Sequence, residues 1–163
     1  DTPVPSYITP QGYRKLVAEF DRLLREERPM VTREVAYAAS LGDRSENAEY
    51  IYGKKRLRAI DKRLRYLKRR LDGIEVVDPA GMSGPIVRFG ATVTIEDEEG
   101  QEQVFKIVGE DEVDIGAGHL SYKSPIGQAL VGKEEGDAVR VKTPRGQREL
   151  AIVAVEWIPG EAA

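Results

Sequence analysis

Apolar residues recur at steps of three and four through the first half of the chain and at steps of two through the second. Tyr13, Leu16, Phe20 and Leu23 mark one face of a helix that Thr9 and Pro10 start. The threonine oxygen accepts from an amide of the first turn, and the proline ring suits a position whose N–H has no helical partner. Pro29 falls inside this stretch, where it removes an amide donor and crowds the preceding turn. The apolar stripe resumes at Val31, Val35 and Ala38, so a kink and not a stop is expected there. Gly42, which tolerates the left-handed conformation common just past a helix, marks the end. A second helix is more regular: Leu57, Ile60, Leu64, Leu67, Leu71 and Ile74, continued upward by Gly53 and Tyr50, keep the spacing of a coiled-coil seam. Few residues join the two helices, so they run antiparallel, each arm about 45 Å long at ~1.5 Å per residue.

From Phe89 onward the period changes. "ATVTIE" and "QVFKIV" flank the turn-rich "DEEGQE" and predict a β-hairpin. "DAVRVKT" and "RELAIVAVEWI" predict two more strands around the turn "PRGQ", and "SPIGQALVG" a short helix between the pairs. "DPAGMSGP", dense in glycine and proline, reads as a linker. The expected class is α+β: a coiled-coil helical hairpin over residues 9–77, a linker at 78–85, and a small, mostly antiparallel sheet domain with a short helix at 86–163. Residues 1–8 are read as a flexible N-terminal extension.

Composition narrows the chemistry. The chain has no cysteine and a single histidine, His119, which excludes a disulfide partner, a thiolate metal site and the common zinc and serine-protease arrangements. Any metal must therefore be held by oxygen. No apolar run approaches the roughly 18 residues that span a bilayer, and the first residues resemble no secretory signal, so a cytoplasmic protein without a membrane partner is expected. The net charge of -3 hides a split: residues 1–78 carry 17 Lys and Arg against 13 Asp and Glu, while residues 79–163 carry 8 against 15. An anionic partner is expected for the first part.

Two groups of side chains carry that expectation further. Asp43 and Glu46, three residues apart, have the spacing of a capping box, the commoner meaning of such a pair. At the tip of a long hairpin, with Glu49 adding charge, they also form a partial oxygen ligand set of the kind Mg²⁺ accepts. In "KKRLRAIDKRLRYLKRR", residues 54–70, ten of seventeen positions are basic. Lys55, Arg58, Lys62, Arg65 and Arg69 lie opposite the seam as an outward stripe suited to a nucleic-acid backbone. Arg56, Arg63 and Arg70 flank the seam and are expected to pair with acids of the first helix, drawn from Glu19, Asp21, Glu26, Glu27 and Glu34. Of the tyrosines, Tyr50 falls on the seam, whereas Tyr52 is the least committed to packing and could stack on an unpaired base. His119 reads as an ordinary surface or turn residue, and Trp157 as core or junction filling.

The stretches "GDRSENAEY" and "KKRLRAIDKR", with "FGATVTIED", "FKIVGEDE" and "SPIGQALVGKEEGDAVRVKTPRG", closely resemble the bacterial Gre family of transcript cleavage factors, its GreB branch in particular, over nearly the whole chain. The resemblance implies a coiled coil that enters the secondary channel of RNA polymerase and an FKBP-like domain that docks at the channel rim. It implies that Asp43 and Glu46 are the catalytic and metal-binding acids, holding a Mg²⁺ shared with the polymerase and not retained by the isolated protein. Stimulated cleavage of the 3′ end of backtracked RNA, by the polymerase's own nuclease activity, is the implied function. Lys54, Lys55, Arg58 and Lys62 near the tip, with Arg65 and Arg69 behind them, would hold the extruded RNA. Ser45 and Asn47 would position water or substrate, and Ser124, Pro125 and Leu130 would contact the polymerase. Gly53 stands where the GreB pattern carries asparagine, which costs helix stability of about 1 kcal/mol against alanine. A channel-binding modulator of the same architecture without cleavage is the alternative, and a general RNA-binding coiled coil a third reading.

Overall fold

The computed structural model describes residues 6–42 and 47–159. It divides into two compact units, Arg14–Gly73 and the remainder of the chain. The first is the helical hairpin and the second a mixed sheet with a short helix, so the class is α+β. Among the described residues no helix is long and apolar enough to cross a membrane.

The first arm of the hairpin is α1 (Pro10–Arg22), a π-helical turn (Leu23–Glu27) and α2 (Arg28–Ser40); the second is α3 (Ala48–Gly73). Thr9 starts α1 as its side chain predicts, accepting from the Gly12 amide at 3.2 Å. The arms are antiparallel: Arg28 meets Asp61, Glu34 meets Arg56, and Val35 lies against Gly53. Buried residues on the first arm are Leu16, Leu23, Val31 and Ala38. Their spacings of seven, eight and seven contain one residue more than a heptad seam allows, whereas Ile60, Leu64 and Leu67 on α3 keep the regular steps. The π turn takes up that extra residue, since the Arg28 amide donates to the Leu23 carbonyl, five residues back instead of four. The interruption expected at Pro29 is therefore this turn. Pro29 falls in the first turn of α2, just behind the widened segment, where its missing N–H and its ring are least disruptive.

Two expectations about the ends of the hairpin are corrected. Ile74 does not extend the seam: α3 stops at Gly73, and the β-branched run that follows forms β2 (Ile74–Val76). Its partner is β1 (Ser6–Ile8), paired parallel from Ser6 opposite Ile74 to Ile8 opposite Val76. Residues 6–8 thus belong to a strand and not to an extension. The segment 78–85 is also partly ordered, because Asp78 caps a 3-10 turn at Pro79–Gly81 and Pro79 is buried against Gly90. Gly53, where a looser helix was expected, is a point of close approach: a Cβ there would lie 2.7 Å from the Val35 Cγ2.

In the other unit, β3 (Thr92–Glu96), β4 (Glu102–Val108), β5 (His119–Ser121), β6 (Ala138–Thr143) and β7 (Gly146–Glu156) form one sheet in the order β5-β4-β3-β7-β6, with α4 (Pro125–Leu130) preceding β6. Within this sheet, among the described residues, only β4 and β5 pair parallel. Alternation holds on β6, where Val139 and Val141 are buried and Arg140 and Lys142 exposed. On β7 the buried series Leu150, Ile152, Val155 gains a residue, and the register with β3 shifts there as a bulge. Asp97 closes the β3–β4 hairpin by accepting from the amides of Glu99 and Gln101, each at 2.9 Å. The Gln101 amide, against the opposing effect of burial and helped by Glu99 and Arg148, holds its carboxyl below the ordinary value. Glu112 ties the start of α1 to this unit, accepting from the Thr9 amide at 3.1 Å, the Thr9 hydroxyl and the Gly109 amide at 2.8 Å.

Deleting exposed Leu24 together with Pro29→Ala should convert the π turn to α-helix and keep the seam, with urea unfolding within about 1 kcal/mol of the parent. The deletion alone puts a proline inside a regular helix and should cost about 3 kcal/mol. Equal stabilities for the two variants would show that the extra residue and the proline are unconnected.

Candidate functional site

The tip of the hairpin is built by backbone chemistry at both arm ends. α2 finishes at Ser40 with Leu41 as its C-cap, and Gly42 follows at φ +138, a conformation that side-chain-bearing residues rarely adopt. Asp43, Ser45 and Glu46 lie outside the described residues. Where the chain is described again, Asn47 links the two arms. Its side-chain Oδ1 accepts from the Tyr50 amide at 3.1 Å, capping α3, and its Nδ2 donates to the Ala38 carbonyl of α2 at 2.7 Å. Asn47 therefore caps the described start of α3, while the Asp43–Glu46 pair, whose spacing allowed a capping box, lies outside the described residues. Asn47, expected to position water or substrate, is instead engaged at both ends of its carboxamide as a latch across the tip. An asparagine directly before the helix-forming "AEY" was a legible cap signal; its bond to Ala38 was not.

Along α3 the basic residues sort as their helical positions require. Arg63 grips Glu19 with two hydrogen bonds of 2.7 and 2.8 Å, and Arg56 meets Glu34 at 3.3 Å. Asp61, the one acid in the basic run, pairs with Arg28 at 2.7 Å; that hydrogen bond first, and then the charge, raise the guanidinium's pKa. Lys55, Arg58, Lys62, Arg65 and Arg69 are all exposed, and Lys54 is half-buried. None of the six has an ion-pair partner among the described residues. Pairing has engaged Arg56 and Arg63 beside the seam, and the outward row carries no such pair among the described residues.

In the sheet unit, Ser124 caps α4, accepting from the Gly127 amide at 3.1 Å and donating to the Ser121 carbonyl at 2.7 Å. Pro125 is exposed. Leu130, expected as a surface contact, is 0% exposed and packs among Val87, Val139 and Ile152, because α4 turns its apolar side onto the sheet. The neighbouring Val131, 40% exposed, is the apolar residue this segment presents to solvent. His119, read as a surface or turn residue, lies in β5 opposite Lys106 of β4, and the Trp157 indole donates to the Gly84 carbonyl at 2.9 Å.

The fold and site together define a two-part protein: a hairpin with a latched tip and an outward basic row, joined to a small sheet domain. Residues 6–76 match the model of the N-terminal domain of transcription elongation factors, and residues 82–157 that of the GreA/GreB C-terminal domain. The chain belongs to the GreA/GreB family of transcription elongation factors, in its GreB branch. It is 47% identical over 154 residues to the transcription elongation factor GreB of Yersinia pestis, covering 94% of this chain and 90% of that one. It is 49% identical over 152 residues to GreB of Pseudomonas aeruginosa, covering 93% and 90%. Among solved structures it is similar to GreA factor homolog 1 of Thermus thermophilus, with 25% identity, a TM-score of 0.44 and coverage of 94% and 99%.

Asn47→Ala removes both the cap and the latch and should cost about 1–2 kcal/mol in urea unfolding. Asn47→Asp keeps a capping oxygen but loses the bond to Ala38, so it should cost less and still speed amide exchange at the end of α2. Equal losses for the two variants would mean that the latch contributes nothing.

Proposed function

We propose that the hairpin enters the secondary channel of RNA polymerase and that Asp43 and Glu46 at its tip assist cleavage of the 3′ end of backtracked RNA, rescuing arrested complexes. The observation that carries this reading is the cap of α3: Asn47 supplies it, so the described start of that helix does not call on Asp43 or Glu46. Family membership supports the same direction, since relatives sharing almost half of the residues over most of the chain bear the name transcription elongation factor GreB.

Two carboxylates three residues apart are hard oxygen donors, a partial set that fits Mg²⁺ when phosphate oxygens and a second protein complete it. Among the described residues no group of three or more His, Cys, Asp or Glu side chains is arranged to hold a metal ion. The other ligands are assigned to the polymerase and its RNA. When bound, such an ion activates water and offsets charge on the phosphoryl oxygens. The chain's own residues bind and orient. Asp43 and Glu46 supply oxygen donors, and Lys54, Lys55, Arg58 and Lys62, backed by Arg65 and Arg69, hold RNA phosphates. Ser45, beside the acids, positions water or substrate. The sheet domain docks near the channel mouth through the corner at Ser124 and Pro125, with exposed Val131 in the apolar role for which Leu130 is too deeply buried. The protein completes a catalytic centre that belongs to the polymerase and is not itself a nuclease.

Asp43→Ala with Glu46→Ala should lower stimulated cleavage in backtracked complexes on the order of 100-fold while polymerase binding persists. Undiminished cleavage would overturn the assignment, and a parent protein that binds stalled complexes without shortening their transcripts would be a channel inhibitor instead. Lys55→Gln, Arg58→Gln and Lys62→Gln combined should reduce the slope of log affinity for the backtracked complex against log salt by about 2, at ~0.7 per phosphate contact. An unchanged slope would remove the stripe from the RNA path.

A further inference from the structure

A groove on one side of the hairpin near its tip is lined by Glu34 and Tyr37 of α2 and by Glu49, Tyr52 and Gly53 of α3. Its composition is unusual for a solvated coiled-coil face. Tyr37 is 66% and Tyr52 64% exposed, so neither ring is used in packing. Gly53 contributes no side chain, and Val35 occupies the space a Cβ would need, so the floor is closed but unencumbered. Glu34 is already balanced by Arg56 at 3.3 Å, and that guanidinium also lies 5.9 Å from the centre of the Tyr52 ring. Glu49 is exposed and has no ion-pair partner among the described residues.

We propose that this groove receives an arginine side chain of the polymerase and thereby sets the depth and rotation of the hairpin tip. The charge count favours one added cation, because among the described residues one carboxylate is neutralised and one is not. Aromatic faces carry negative potential and attract cations, and a planar guanidinium can lie on a ring while giving a carboxylate two parallel hydrogen bonds. Arg56 shows the same combination within the chain, contacting a carboxylate and a tyrosine ring of this groove at once. An RNA base is disfavoured here, since bringing its phosphates beside two carboxylates opposes the attraction that the basic stripe provides on another face of α3. The partner rests on the proposed insertion into polymerase; the chemistry of the groove does not.

The test has two arms. In the first, Nα-acetyl-arginine amide, Nα-acetyl-lysine amide and guanosine monophosphate are titrated separately into the full chain, with the ring resonances of Tyr37 and Tyr52 followed by NMR. Saturable shifts with the arginine probe, weaker with the lysine probe and lost in Glu49→Gln, are expected. No shift, a lysine response as strong as the arginine one, or a stronger response to the nucleotide overturns the guanidinium assignment. In the second arm, Glu49→Gln and the exposed pair Tyr37→Leu with Tyr52→Leu are compared with the parent for affinity to core RNA polymerase, helical content being checked by circular dichroism. A loss of about tenfold is expected. Parent-like affinity of the variants overturns the groove's role while leaving the proposed function intact. A parent protein that fails to bind polymerase overturns the proposed function instead, and the probe titration then decides the groove by itself.

Discussion

The hairpin depends on one constraint: each arm must turn a continuous apolar row toward the other, although one row has an extra residue. α3 keeps a regular seam, and the first arm does not, since Leu23 and Val31 are eight apart. A regular α-helix with that spacing would rotate everything beyond Leu23 by about 100° and point Val31 and Ala38 away from α3. The π turn cancels the rotation, so both residues are buried. Contacts nearer the tip follow from that corrected register, including the close fit of Val35 on Gly53, the Arg56–Glu34 pair and the reach of Asn47 to Ala38.

Register also explains how one helix serves two electrostatic purposes. Arginines beside the seam meet acids of the facing arm, and exposed pairs of this kind contribute little stability each, about 0.2–1 kcal/mol. Their larger consequence is selection. Acids of the first arm are drawn to the flanks of the seam, and among the described residues none pairs with the opposite side of α3, where the row from Lys55 to Arg69 is exposed. The groove at Tyr37 and Tyr52 has the opposite sign on a neighbouring face, so the tip region offers separate surfaces to an anion and to a cation.

The sheet unit solves a similar problem in another geometry. An extra residue between Ile152 and Val155 would send every later side chain of β7 to the wrong face, and the bulge against β3 restores the alternation. Glu112 then secures the first turn of α1 by filling space that glycine leaves open: Gly12 and Gly109 both border its carboxylate, and neither carries a Cβ that would displace it.

Much of this was legible in the chain because it is local. Thr9 and Pro10 start α1 as their side chains require, Gly42 follows the end of α2, and the seam, the strands β3, β4, β6 and β7, the outward basic row and the pairing of Arg56 and Arg63 all come from periodicity, whereas the three-residue strands β1, β2 and β5 do not. What the sequence could not supply was whatever depends on residues far apart in it. Ile74 continues a helical period, yet lies in a strand because Ser6–Ile8 comes beside it. Leu130 belongs to a segment with docking character, yet is buried because α4 packs on strands whose positions no local pattern reveals. Asn47 is a readable cap, but its second bond needs Ala38 on the other arm. Periodicity determines which face of an element is apolar; only tertiary structure decides what covers that face and which polar atoms are left for another molecule.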